Sequence, residues 1–215
     1  MPKQIILFVS LIISLQVKAQ IKKSSIVLGG QFSFFSQNFK SGNDNPKAHY
    51  AFIYLSVGTS YKNNHVVGLG LTYGNQKEYN RVYPDTLNSS ANYYRLGVFY
   101  RLYKQLNNKF YVFCHLEAGG SFGKQTFNYS ANSDIDIGKS SGGYIAFLPG
   151  IAYEALHKFY LELLLPDFLN LSFSKNTFES NLHPNSNYSS NTVNFNTGLN
   201  GGLLNNIGVG FKFIF

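Results

Sequence analysis

Hydrophobic and polar positions alternate along most of the chain with a period of two. From Ile207 to Phe215 the apolar residues Ile207, Val209, Phe211, Phe213 and Phe215 are interleaved with Gly208, Gly210, Lys212 and Ile214. Successive side chains of a strand point to opposite faces, so this stretch has one greasy face and one small or polar face. The pattern recurs upstream. Val67, Leu69, Leu71 and Tyr73 oppose Gly68, Gly70, Thr72 and Gly74. Tyr94, Leu96, Val98, Tyr100 and Leu102 oppose Arg95, Gly97, Phe99 and Arg101. Period two with turn-rich separators predicts strands. They run over Ser25 to Gln37, Ala51 to Tyr61, His65 to Asn75, Asn92 to Tyr103, Phe110 to Phe127 and Ser140 to Glu154. A seventh strand starts at Phe159, breaks at Pro166, which cannot donate to a ladder, and resumes through Leu171 and Phe173. An eighth ends at Phe215.

The connections alternate in length. Short turns are expected at Lys62-Asn63-Asn64, around Asn107-Asn108 and at Leu156-His157-Lys158, and long polar loops over Asn38 to Tyr50, Gln76 to Ala91, Asn128 to Lys139 and Thr177 to Asn194. Eight strands joined alternately by short and long connections predict an all-β fold: an eight-stranded antiparallel up-and-down transmembrane β-barrel. An isolated edge strand ending in bare Phe invites aggregation, whereas a closed barrel in lipid has no edge and wants apolar side chains outward. Eight strands enclose a narrow interior filled by side chains.

Met1 to Gln20 breaks the alternation. Lys3 precedes an apolar run from Ile5 to Leu15, and Val17-Lys18-Ala19 supplies small residues before a cut. This is the pattern of a cleaved Sec signal peptide over residues 1–19, leaving a barrel domain over residues 20–215. The run is too short to span a bilayer as a helix, and no Cys follows it as in a lipoprotein signal.

Composition supports the lipid-facing barrel. Of 215 residues, 17% are aromatic and 13% charged, as suits a surface with an apolar belt and interfacial girdles. A soluble β-sandwich or lipocalin-like barrel rich in Tyr and Phe shares this composition. The formal charge is +8, of which Lys3 and Lys18 belong to the leader. The remaining Lys and Arg are scattered through turns and loops without a run of three, so a nucleic-acid patch is not indicated. Solvated loop ends are the favoured reading of these charges, with contact to anionic lipid head groups second. One cysteine, Cys114, excludes an intrachain disulfide.

Several stretches resemble a known family. Ile26 to Phe35 (IVLGGQFSFF), Val66 to Tyr73 (VVGLGLTY), Pro149 to Tyr153 (PGIAY) with Tyr160 to Leu163 (YLEL), and the terminal FKFIF are similar to the small outer-membrane β-barrel proteins of Bacteroidetes, the PorT-like group. The resemblance implies an outer-membrane location in a Gram-negative envelope, with both termini at the periplasmic side. It also implies contact with outer-membrane lipid and lipopolysaccharide, and passage through the barrel assembly machinery. Envelope or secretion proteins would be further partners. Phe211, Phe213 and Phe215 would form the insertion signal, so that loss of Phe215 reduces assembly. Asp85-Thr86-Leu87 resembles the short O-glycosylation site of exported proteins in this bacterial group, marking Thr86.

Arg95, Arg101, His115, Glu117, Glu154 and Glu162 fall on the inward face of neighbouring strands. Buried charges must be paired, so an interior ion-pair network is expected, with Glu117 serving an inward Arg. A lipid-modifying enzyme would need Ser, His and an acid converging at one rim. His115, Glu117 and Ser121 share a face but lie in series along one strand. His49, His65, His157 and His183 are dispersed, without metal spacing, and no nucleotide or other cofactor motif is present. The expectation is a non-enzymatic membrane protein with a structural, secretion, assembly or surface-interaction role. A small-molecule or porin-like pore and, less favoured, a lipid-modifying enzyme are the alternatives.

Overall fold

A computed structural model describes residues 21–38, 47–82, 85–129, 135–165, 168–179, 187–197 and 207–215. The expected leader lies outside the described residues. The chain forms β1 (Ile26–Asn38), β2 (Lys47–Lys62), β3 (His65–Val82), β4 (Asp85–Gln105), β5 (Phe110–Tyr129), β6 (Ile135–Leu156), β7 (Phe159–Leu164), β8 (Leu169–Glu179), β9 (Tyr188–Thr197) and β10 (Gly208–Ile214). β1 to β6 pair consecutively and antiparallel. β7 and β8 then share the far edge of β6, one against Gly150–Leu156 and the other against Ile137–Phe147. β10 pairs with β7 and closes on β1, from Val27 opposite Ile214 to Phe32 opposite Val209. β9 pairs with β8. Ten hydrogen-bonded strands thus make eight staves, the seventh being β7 plus β8 and the eighth β10 plus β9. The result is an eight-stranded antiparallel barrel.

The last two staves break at one level. Leu164 faces Gly208 at the end of one pairing, and Leu169 faces Thr197 at the start of the next. The break in the seventh stave brackets the expected irregularity at Pro166. Two expectations are corrected. Thr177 to Asn194, read as a loop, holds the end of β8 and most of β9. The loop expected over 76–91 is largely strand as well, and the described residues of those expected over 38–50 and 128–139 are strand, since the staves run on beyond the apolar belt. Polar residues occupy both faces there, so hydropathy alternation fades. The backbone groups still pair, because leaving them unpaired costs more than ordering the strand.

Outside, the belt is apolar. Leu55, Leu69, Leu96, Val98, Ile145, Leu163 and Val209 are all at least half exposed. A soluble protein does not expose a contiguous band of this kind, and a bilayer requires one. Aromatic side chains gather at its margins. Tyr61, His65 and Tyr100 pack edge-on and tilted near the turns, where His65 Nδ1 and the Tyr100 hydroxyl lie 2.7 Å apart. At the same end Phe159 packs tilted on Phe213, which stacks on Phe215. Tyr73 packs on Tyr94 toward the other margin. These rings sit where interfacial girdles belong.

The turn end is tightly tied. Asn64 and Lys158 adopt left-handed backbone conformations (φ 65° and 69°) at two hairpins. Asn107 Oδ1 accepts from the amides of Lys109 and Phe110 at 3.0 and 2.9 Å. Both ends of the described chain meet here, with Ile26 and Phe215 exchanging backbone bonds of 3.0 and 2.8 Å. Ile21 is fully buried, its amide donating to Asn64 Oδ1 and its carbonyl accepting from Asn64 N. It packs with Val27, Val66, Tyr103, Tyr111, Ala152, Tyr160 and Ile214, stoppering the barrel mouth.

Candidate functional site

Above the Ile21 stopper, the inward faces of β2, β4, β5, β6, β7 and β10 converge on a buried charge network. Arg101 on β4 reaches across the lumen to Glu162 on β7, its Nη1 donating to both carboxylate oxygens at 2.8 and 2.7 Å. The Tyr103 hydroxyl accepts from Arg101 at 3.1 Å and donates to Glu162 at 3.0 Å. Arg101 Nε donates to His115 Nδ1 at 3.0 Å. That bond occupies Nδ1 and places the ring proton on Nε2, which donates to Glu117 Oε2 at 3.0 Å. The Tyr144 hydroxyl donates to the other Glu117 oxygen. Lys212 on β10 donates to Ser56 on β2 at 3.0 Å.

Aromatic rings enclose the charges. The Arg101 guanidinium lies 4.4 Å from the Phe113 ring centre, His115 stacks on Phe99, and Lys212 lies 5.5 Å from the Phe99 ring centre. Arg101, His115, Glu117, Glu162 and Lys212 are each less than 7% exposed. Isolated charges at such depth are costly, and only mutual pairing with completed hydrogen bonds makes them tolerable.

Two glycines make the geometry possible. Lys212 reaches Ser56 by crossing Gly29 on the intervening β1, where a Cβ would sit 2.7 Å from the lysine's Cδ, Cε and Nζ. A Cβ at Gly97 would lie 2.6 Å from the Tyr144 hydroxyl and 2.9 Å from Glu117 Oε1.

The six residues singled out from sequence divide into three groups. Arg101, His115, Glu117 and Glu162 meet in the network. Glu154 sits at the turn-end rim, next to the β6 irregularity between Glu154 and Leu156. Arg95 lies on the loop side, its guanidinium 5.2 Å from the Tyr144 ring centre. The carboxylate on Arg101 is Glu162, and Glu117 instead serves His115 and Tyr144. Sequence neighbours could not show this, because β4 and β7 face each other across the lumen rather than along the sheet. Lys212 was missed, although its parity with Gly208 and Gly210 marks it as inward. Both His115 nitrogens are engaged by Arg101 and Glu117, and Ser121 makes no hydrogen bond to the ring. Among the described residues no group of three or more His, Cys, Asp or Glu could hold a metal. Phe211, Phe213 and Phe215 all face outward in the belt. Thr86 pairs with Arg81 near the β3–β4 apex, and its side chain lies outside the described structure.

Above the network the lumen opens into a cavity of about 340 Å³. Arg101, His115 and Glu117 form its floor. Phe52, Tyr54, Thr72, Arg95, Tyr144 and Leu148 line its sides, and Gln31, Ser33, Phe34, Leu164 and Ile207 face it beside the broken staves. Toward the loop end, Glu78 accepts from the Tyr50 hydroxyl at 3.3 Å and from Gln76.

Fold, belt and filled lumen define a transmembrane β-barrel of the outer-membrane type. Similarity to solved structures agrees. OprG from Pseudomonas aeruginosa superposes with a TM-score of 0.50 at 12% identity, covering 90% of this chain and 97% of that one. Ail, the attachment invasion locus protein of Yersinia pestis, gives 0.42 at 11% identity, covering 90% and 99%. Neisserial surface protein A gives 0.39 at 12%, covering 89% and 97%. At such identities OprG speaks to the fold alone. The sequence matches no protein-family model and no curated protein.

Proposed function

We propose that the protein resides in the outer membrane as a plugged, non-conducting barrel. Its role is non-enzymatic: structural support, assembly or secretion of envelope components, or surface interaction. The carrying observation is how the lumenal charges are used. Arg101, His115, Glu117 and Glu162 satisfy one another within 3.0 Å, so the groups that floor the cavity are already engaged with each other. A porin-like role calls for a water-filled lumen, and here Ile21 and the network occupy the turn-end half. The PorT-like resemblance adds secretion proteins and the assembly machinery as partners, alongside outer-membrane lipid and lipopolysaccharide. Phe215 supports the insertion-signal reading by standing exposed at the barrel margin.

Membrane fractionation of a Gram-negative host tests residence. The chain should appear in the outer-membrane fraction and migrate faster unheated than boiled, as a folded barrel does. Deleting Phe215 should lower the yield of that folded form. Recovery of the intact chain as a soluble periplasmic protein would overturn the proposal.

A further inference from the structure

The cavity above the network holds two polar groups that the plug does not use. Arg95 takes part in no ion pair among the described residues, its contact being the Tyr144 ring at 5.2 Å. The Tyr54 hydroxyl is buried without a hydrogen bond of good geometry among the described residues, its neighbouring carboxylate being Glu117, which His115 and Tyr144 already engage. Both line the same cavity, with the Thr72 hydroxyl beside them. A guanidinium without a carboxylate and a phenol without a free acceptor are donors awaiting an acceptor. The remaining charges of the floor are spent, Arg101 on Glu162 and Glu117 on His115 and Tyr144.

The opposite side of the cavity is mostly apolar, its polar members Gln31 and Ser33 being bonded to each other at 3.2 Å. Phe52, Leu148 and Leu164 face it, and so do Phe34 and Ile207, which are 61% and 42% exposed at the outer surface. The apolar side therefore reaches the outer face of the barrel at the β1–β10 edge. At about 340 Å³ the space falls in the range of small-molecule sites, roughly 300–1,000 Å³.

We propose that this cavity binds a single-chain amphiphile with an anionic head, such as a medium-chain carboxylate. The carboxylate accepts from Arg95 and the Tyr54 hydroxyl, and the hydrocarbon tail lies along Phe52, Leu164 and Phe34 toward the bilayer. This goes beyond the structural role proposed above, since a plugged barrel need hold no ligand.

The test uses the full barrel in lipid nanodiscs, with carboxyl-¹³C octanoate as the probe and empty discs as the baseline. Saturable binding of one octanoate per barrel is expected. Octanol, with the same tail and no charge, should bind roughly tenfold more weakly or worse, as the loss of a charge-assisted hydrogen bond implies. R95Q should lose octanoate by a similar factor, while K139Q, at an exposed outer-face ion pair, should bind as the parent does. No saturable octanoate signal, octanol binding as tightly as octanoate, or full affinity in R95Q would each overturn the proposal. Should R95Q fail to fold, the octanoate-to-octanol ratio on the parent barrel decides alone.

Discussion

The turn-end and loop-end halves of this barrel have the same wall but opposite interiors. In the turn-end half every stave pairs on both edges, and the lumen is filled by Ile21, an aromatic collar and a charge network less than 7% exposed. In the loop-end half the last two staves are broken, the strands carry Asn and Ser on both faces, and the lumen holds a cavity of about 340 Å³ capped by a neutral-to-acidic network of Tyr50, Gln76, Glu78 and Tyr93. The halves differ in how side-chain volume is spent. Large inward residues such as Tyr103, Tyr111, Phe113 and Tyr160 form one packed cluster at the turn end, whereas at the loop end Tyr50 and Tyr93 are interleaved with small residues such as Ser172, Ser174 and Gly138. A narrow barrel can be sealed at one level and receptive at another, so stability and recognition need not compete for the same residues.

If the turn-end half carries the stability, the largest loss should follow from breaking its cross-lumen pair. Arg101→Met leaves Glu162 buried and uncompensated, at a cost of about 3–5 kcal/mol in urea unfolding from lipid vesicles. The double variant Arg101→Met with Glu162→Leu should recover most of it, since an apolar pair of similar volume leaves no charge stranded. A single variant as stable as the parent would show that the pair does not hold the plug.

Next in size is Gly97→Val. Its Cβ falls within 2.9 Å of both Tyr144 and Glu117 oxygens, so overpacking should cost about 1–3 kcal/mol by the same measurement. Glu117→Ala removes the acceptor of His115 and Tyr144, for a loss of about 1–3 kcal/mol. Its thermal midpoint in detergent should fall correspondingly, and an unchanged midpoint would remove Glu117 from the network.

The smallest effect is expected outside. Lys139 and Glu179 form a 2.8 Å ion pair that is about half exposed at 53% and 52%. Lys139→Ala should change stability by under about 1 kcal/mol. A loss equal to that of Arg101→Met would erase the distinction between lumen and surface.

Much of this contrast was legible in the sequence, for reasons that differ by region. Within the belt, the period of two assigned a face to nearly every residue, because lipid outside and a packed lumen inside enforce opposite preferences. Arg101, His115, Glu117 and Glu162 were visible as inward charges by parity alone. Their pairing was not, since Arg101 meets Glu162 across the lumen and no linear pattern encodes a diameter. The end of β8 and most of β9 were hidden in an Asn- and Ser-rich stretch. There polar residues occupy both faces, and backbone pairing leaves no hydropathic trace. Ile21 was passed over because one apolar residue beside a leader has no periodicity to mark it.

The seal itself is most directly examined by electrical recording of the purified parent barrel in a planar bilayer. A turn-end half closed by Ile21, the aromatic collar and the Arg101–Glu162 pair predicts no stable channel at any applied voltage that the membrane tolerates. Long-lived, uniform conductance steps from the folded monomer would contradict it.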